Sequence, residues 1–185
     1  YNCDWTPLGN KLTDYSNKSI NVAEGILTIS GSSTVEIDMG DTVATWGAYK
    51  AVNGDLTDGY HNCWGYRGDD PEPTLEMDLG GTYSVNKIVI YHGDGSGSGA
   101  MNNDYEIFYK NEDTDPYVSI VDVANNTTEK TTYNDFDVIT ARYIKMVITD
   151  FTAPPNAFVY SSFYDSDFVV DGGFIRQFQV FTYAG

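Results

Sequence analysis

Arg142-Tyr143-Ile144-Lys145-Met146-Val147-Ile148 is the stretch on which the fold class turns. Ile144, Met146 and Ile148 lie on one side of an extended chain and Tyr143, Lys145 and Val147 on the other, because successive side chains of a strand point to opposite faces. A helix would not gather those three apolar residues into one stripe. The period is two, and the segment reads as a strand with one buried face. Val85-Asn86-Lys87-Ile88-Val89-Ile90-Tyr91 repeats the pattern, with Ile88 and Ile90 inward and Lys87 outward. Working outward, similar short segments fall at 25–30, 33–39, 74–79, 104–109, 117–123 and 174–182, separated by Gly, Asn and Asp clusters. Eight short strands predict an all-β sandwich, and 185 residues suffice for one domain with a sizeable core.

Charge narrows the partners. Ten Lys and Arg stand against 27 Asp and Glu, a formal net charge of −17. Nucleic acid is disfavoured because phosphate binding requires clustered positive charge, and an anionic membrane surface is disfavoured for the same reason. Divalent cations and neutral sugars suit such a surface, as does plain solubility. No apolar run approaches the roughly 20 residues that span a bilayer, so membrane insertion is not expected. The absence of a signal peptide reads as a mature or trimmed chain. Cys3 and Cys63 are the only cysteines. One disulfide between them would close a loop of about 60 residues, worth roughly 4 kcal/mol in a chain-entropy account; two separate thiols are the alternative. Asn17-Lys18-Ser19 and Asn125-Asn126-Thr127-Thr128 fit the N-glycosylation pattern, a short match of low specificity.

Three connections, 55–70, 92–103 and 151–173, are the candidate functional loops. The second carries His92-Gly93-Asp94-Gly95-Ser96-Gly97-Ser98-Gly99, which matches no phosphate-binding pattern and serves either as a solvated linker or as a close-approach loop. The third gathers Phe151, Phe158, Tyr160, Phe163, Tyr164 and Phe168, so it either folds over the core or displays aromatics to a ligand.

Catalytic signatures are mostly missing: there are two histidines, no G-x-S-x-G, no H-E-x-x-H and no cysteine cluster for zinc. Carboxylate pairs that imitate a glycosidase acid and base arise by chance in so acidic a chain. Asn53-Gly54-Asp55-Leu56-Thr57-Asp58-Gly59 concentrates oxygen ligands around two glycines, as calcium prefers, or forms a plain turn. It is not an EF-hand, since Asp58 and Trp64 stand where Gly and Glu are required. Asn111-Glu112-Asp113-Thr114-Asp115-Pro116 reads as a hairpin turn. His61 and His92 fall at borders between strands and loops, with Arg67, Asp94, Asn102 and Asn103 near them. Sugar recognition requires planar side chains that bond hydroxyls in pairs and an aromatic face for the ring. For any one of these residues taken singly, a solvated loop side chain is the favoured reading. Trp46 and Trp64 are assigned to core packing ahead of ring stacking.

From Ala51 onward the order of segments resembles the discoidin family, that is the coagulation factor 5/8 type C domains, with the family 32 carbohydrate-binding modules and fucolectins among its relatives. Ala51-Val52 through Leu56-Thr57-Asp58-Gly59 to Cys63-Trp64 resembles the family's Asp-Gly loop leading to a buried Trp. Leu75 to Gly80 followed by Val85 to Tyr91 resembles its Asp-Leu-Gly turn and central strand, and Tyr105 to Tyr109 its next hairpin. Ala141-Arg142-Tyr143-Ile144-Lys145 is similar to its Ala-Arg-Tyr strand, and Gln177-Phe178-Gln179-Val180-Phe181 to its closing strand. Together they span about 130 residues, and their order is more specific than any one of them.

The resemblance implies a galactose-binding-domain-like jelly roll; chain length makes 1–185 a single domain, and 1–47, which exceeds what the family usually has before the Asp-Gly loop, is expected as an N-terminal extension packed on the sandwich. The resemblance also implies structural calcium held by the Asp58 carboxylate, carbonyls of Asp55 and Tyr60, a carbonyl from Asn62 or Cys63, and Gln177, which stands where relatives often carry Glu. Saccharide binding is expected through His61, Arg67, His92, Asp94, Asn102 and Asn103, with Tyr160 or Phe163 stacking on the ring. His92 stands where lectin relatives often place Arg, so the sugar is not assigned. The expectation is a secreted or cell-surface, non-catalytic carbohydrate-binding module or lectin domain within a larger multimodular protein. A protein-adhesion module using the aromatic loop 151–173 is the rival, and a small glycoside hydrolase or lyase is a third reading.

Overall fold

The computed structural model describes residues 19–26, 28–38, 43–57, 62–93, 100–152 and 172–183. Their elements, in chain order, are β1 (Ser19–Asn21), β2 (Ile29–Gly31), β3 (Glu36–Asp38), β4 (Val43–Thr45), a 3-10 helix (Ala48–Val52), β5 (Trp64–Arg67), β6 (Thr74–His92), β7 (Met101–Lys110), β8 (Val118–Val123), β9 (Lys130–Tyr133), β10 (Ile139–Thr152) and β11 (Gly172–Tyr183).

The spine is β6. Met77 pairs with Ile144 of β10 on one edge and Ile29 of β2 on the other, while Ile88 pairs with Tyr133 of β9 and Val180 of β11. The two halves of this one strand therefore belong to two layers. β2, the first half of β6, β10, β7 and β8 make one. β9, the second half of β6, β11 and, beyond it, β5 and β1 make the other. Every pairing is antiparallel, and the result is a jelly-roll sandwich. Period-two alternation drives it: Leu75, Met77, Ile144, Met146 and Ile107 from one layer meet Ile88, Ile90, Phe178 and Val180 from the other in a single buried cluster. Burying one such aliphatic side chain contributes about 1.5–3 kcal/mol.

The crossing between layers lies at Leu79-Gly80-Gly81-Thr82. Tyr143 faces Asp78 and Ala141 faces Tyr83, so these four residues oppose Arg142 alone. Gly80 takes φ of 75°, a left-handed conformation that costs a glycine little. Arg142 Nε and Nη2 donate to the two carboxylate oxygens of Asp78 at 2.9 and 2.8 Å, and Gly80 N–H donates to Asp78 Oδ1 at 2.9 Å. Those bonds, Arg142's foremost, hold the Asp78 carboxyl below the usual range. The segments 74–79 and 85–91 are thus halves of one bent strand.

Several elements differ from the sequence expectation. Strand β5 lies inside the expected connection 55–70; Trp64, Gly65 and Tyr66 are all buried, so no alternation marks it. β9, β1, β4 and the 3-10 helix were not expected either. Among the described residues, the strands that fall at the expected 25–30 and 33–39 are Ile29–Gly31 and Glu36–Asp38. Trp46 and Trp64 do pack in the core, at 5 and 0% exposure, and Trp64 Nε1 donates to the Ser33 carbonyl at 3.0 Å. The turn at 111–116 joins β7 to β8, braced by Glu112 N–H on Asp115 Oδ2 at 2.9 Å.

Candidate functional site

Five strand ends meet at one end of the sandwich. Arg67, the last residue of β5, faces Gly172, the first of β11; Ile175 faces His92, the last of β6; Asn102 at the start of β7 faces Phe151 near the end of β10. Gly93 N–H donates to the Phe174 carbonyl at 3.1 Å and His92 N–H to the Glu129 carbonyl at 2.7 Å. Gly93, Thr152 and Gly172, which border residues 94–99 and 153–171, lie at this end.

Directly beneath this end is a buried polar network. Asn102 Oδ1 accepts from the Tyr66 hydroxyl, and Asn102 Nδ2 donates to the Phe174 carbonyl at 3.1 Å and to His92 Nδ1 at 3.0 Å. With Nδ1 an acceptor, His92 carries its proton on Nε2, which lies 3.0 Å from Thr131 Oγ1 and 3.3 Å from the Tyr105 hydroxyl. The Tyr105 and Tyr133 hydroxyls bond each other. Burial lowers the His92 pKa to about 4, and a second proton on Nδ1 would also meet the Asn102 N–H head on. His92 and Asn102 were expected to grip a ligand; at 1 and 0% exposure they instead tie β5, β6, β7, β9 and β11 together. Period two places His92 inward with Ile88 and Ile90, and its ring is consumed by internal bonds.

Among the other expected ligand residues, Arg67 is exposed, with its Nε donating to Asp69 Oδ1 at 2.8 Å and its Nη2 to Asp69 Oδ2. Asn103 is half-buried and held by Thr152 Oγ1, which donates to its Oδ1 at 2.8 Å. His61, Asp94, Tyr160 and Phe163 lie outside the described residues. Sequence reasoning missed Asp70, whose Oδ2 accepts from the Ser32 and Ser33 hydroxyls at 2.5 and 2.6 Å beside Arg67. Partial burial works to raise the Asp70 pKa, but those hydroxyls and the Glu72 N–H outweigh it and lower it. The Tyr66, Tyr105, Thr131 and Tyr133 hydroxyls were missed too; a buried hydroxyl in a strand carries no mark of its own in the sequence.

One layer below, the loop after the 3-10 helix closes on β11. Gln177, fully buried, directs Nε2 at three oxygens: the Lys50 carbonyl at 3.1 Å, Asn53 Oδ1 at 2.6 Å and the Asp55 carbonyl at 3.3 Å. Its Oε1 accepts from Gly54 N–H at 3.2 Å. Asn53 Nδ2 donates to Asn62 Oδ1, and Asn62 Nδ2 donates to the Asp55 carbonyl at 3.1 Å. Of the expected calcium ligands, the Asp55 carbonyl, Asn62 and Gln177 do come together, while Asp58 and Tyr60 lie outside the described residues. The Asp55 carboxylate turns away to Thr57, accepting from its N–H and hydroxyl at 2.7 Å each, which lowers its pKa. Calcium asks for six to eight oxygens, commonly including charged carboxylates, at about 2.3–2.6 Å. The described cage presents neutral oxygens with an amide NH2 at their centre, which does not fit the ion. Lys50 and Asn53 were missed as members, Lys50 because it contributes only a backbone oxygen. Cys63 is wholly buried beside this cage, and Cys3, its expected disulfide partner, lies outside the described residues.

Comparison with known proteins places this geometry. Among solved structures the chain is similar to chitosan-binding module 1 of a chitosanase/glucanase from Paenibacillus sp. IK-5 (TM-score 0.63, 18% identity, covering 87% of this chain and 98% of that one). It is similar to a Streptococcus pneumoniae fucose binding module, SpX-3 (TM-score 0.63, 15% identity, 89% and 98% covered). It also resembles the family 32 carbohydrate-binding module of C. perfringens NanJ in complex with galactose (TM-score 0.62, 18% identity, 89% and 99% covered). At such identities the likeness is one of fold. No curated protein sequence matches the chain. The sequence pattern of the F5/8 type C domain matches residues 28–160, which takes in β2 through β10 and the bent spine that joins the two layers. On that match, the chain belongs to the F5/8 type C domain family.

Proposed function

We propose that this chain is a non-catalytic carbohydrate-binding module of a secreted or cell-surface, multimodular protein, taking an uncharged saccharide at the loop end beside Arg67. The observation that carries the reading is the convergence of five strand ends around an exposed guanidinium and the hydroxyl-bound Asp70. Arg67 offers paired donors and Asp70 an acceptor, the polar half of what a pyranose requires. The aromatic segment 153–171, rooted at the same end, would supply the ring face, with Tyr160 or Phe163 the expected stacking residues. A fold shared with modules described as binding chitosan, fucose and galactose supports the same reading. The charge of −17 disfavours sulfated or sialylated glycans.

The test is a glycan array followed by calorimetry on the hit. Dissociation constants of about 10 µM to 1 mM are expected, since shallow sites displace well-bound water for few direct contacts. Arg67→Ala should weaken binding about tenfold or more while leaving the melting temperature unchanged, its side chain being exposed. No glycan bound, with a protein captured instead, would favour the adhesion reading; turnover of a bound polysaccharide would refute the non-catalytic one.

A further inference from the structure

We infer that the loop following the 3-10 helix is clamped by the Gln177 side-chain amide at the position where a structural cation would stand, so that the domain is indifferent to calcium. The inference rests on how the donors and acceptors balance. Three oxygens from separate residues, the Lys50 carbonyl, Asn53 Oδ1 and the Asp55 carbonyl, lie within 3.3 Å of one nitrogen. Oxygens repel one another unless something positive sits between them, and a metal ion is the usual choice. Here the two hydrogens of Nε2 occupy that place. Asn53 Oδ1 also takes the Asp55 N–H at 2.9 Å, and the Asp55 carbonyl also takes Asn62 Nδ2 at 3.1 Å. The opposite end of the amide, Gln177 Oε1, is taken by Gly54 N–H.

That last bond fixes which way the amide faces. Were Gln177 turned to present Oε1 to the cage, it would aim a fourth oxygen at three others and point Nε2 at the Gly54 N–H, leaving donor against donor. Gly54 reaches the amide through φ of 79°. Asn53, Asn62 and Gln177 thus form a ring that closes through the Asp55 carbonyl, and in it each described donor meets an acceptor. A closed neutral network of this kind is costly to open, because a buried polar group without a partner loses its whole solvation. A dication entering would have to expel the NH2, turn Gln177 against Gly54 and take only neutral oxygens from Asn53, Asn62 and Gln177, the Glu24 carboxylate standing against Gly54. The clamp spans from the end of the 3-10 helix to β11.

The experiment compares the melting temperature of the parent domain in chelator and in millimolar calcium, with calorimetric titration of calcium alone. No shift beyond about 1 °C and no saturable heat are expected, whereas calcium bound at about a hundredfold over its dissociation constant would raise the midpoint by several degrees. Gln177→Leu should lower the midpoint by several degrees in either buffer. Asn53→Asp with Gln177→Glu should melt lower in chelator and recover in calcium, gaining a saturable site. A calcium-dependent rise in the parent, an undiminished midpoint in Gln177→Leu, or a double variant that does not respond to calcium would each overturn the inference. Saccharide binding by the parent serves as a separate readout and does not enter any of these outcomes.

Discussion

Lowering the pH from 7 to 5 should strip this domain of stability through one side chain, His92. In the folded chain its pKa lies at about 4, pushed down from 6.5 by burial. In the unfolded chain it returns to the ordinary value. Between those two values the unfolded state holds a proton that the folded state does not, so stability rises with pH across the window and falls on acidification through it. At pH 5 the unfolded imidazole is almost wholly charged and the folded one scarcely so, which integrates to about 2 kcal/mol lost relative to neutral pH. The whole gap, were acidification carried below pH 4, is worth about 3 kcal/mol. Geometry argues in the same direction, since a proton on Nδ1 would oppose the Asn102 N–H that now bonds it. The chain's 27 Asp and Glu also take up protons as pH falls, so the quantity to measure is a difference: urea unfolding of parent and His92→Gln at pH 7, 6 and 5. The parent's advantage should shrink by about 2 kcal/mol over that range. Proton NMR of the parent gives an independent reading, because only two imidazoles are present and one of them should remain neutral until about pH 4. A stability difference flat across pH, or two imidazoles that both titrate near 6.5, would refute the reasoning.

Two further outcomes follow from the same end of the sandwich. Tyr66→Phe removes the hydroxyl that satisfies Asn102 Oδ1, leaving a buried acceptor unpaired, and should cost about 1–3 kcal/mol in urea unfolding; a cost near zero would mean that the network is not under tension from both sides. Gly172→Ala would drive a Cβ into the Tyr66 backbone oxygen, a contact that no side-chain movement relieves. β11 and β5 must part there, at a cost of about 1–3 kcal/mol or more. Because Arg67 is the partner of Gly172, saccharide affinity should fall in the same variant, and retained affinity would separate Arg67 from the binding end.

Period two is legible wherever a strand has one wet face, and it fails where both faces are covered. The middle of β10 was legible because Tyr143 and Lys145 stand outside while Ile144 and Met146 stand inside, although the strand runs on to Ile139 and Thr152 at its ends. β5 was lost because Trp64, Gly65 and Tyr66 are enclosed on both faces, so composition shows only an aromatic-rich loop. Gly80-Gly81 looked like a break between strands; the chain uses the pair to turn one strand from the first layer into the second. His92 was within reach of the sequence. The alternation that buries Ile88 and Ile90 also buries His92, and weighing it as a loop residue set that parity aside. Asn102 was not, because Tyr105 and Ile107 define the opposite parity and the irregular register between β7 and β10, where Asn103 is passed over between Asp104 and Asn102, accompanies the turn of Asn102 inward.

The cage shows the deeper limit. A loop can be fastened to a strand by backbone oxygens around a positive centre, and the sequence records the loop and the strand but not which atom sits at the centre. Lys50 contributes a carbonyl that any residue would carry, so nothing in its identity announces it. What the sequence does record is charge. With neutral amides at Asn53, Asn62 and Gln177, and the Asp55 carboxylate occupied by Thr57, these three amides offer a cation no full negative charge, although the Glu24 carboxylate stands against Gly54 and the chain as a whole carries a net charge of −17. Local neutrality inside so acidic a chain is what an amide clamp requires and what a calcium site does not, because hydrogen bonds saturate with neutral acceptors while a dication repays its dehydration chiefly through carboxylates. Restoring carboxylates at Asn53 and Gln177 alone should therefore be enough to exchange one centre for the other.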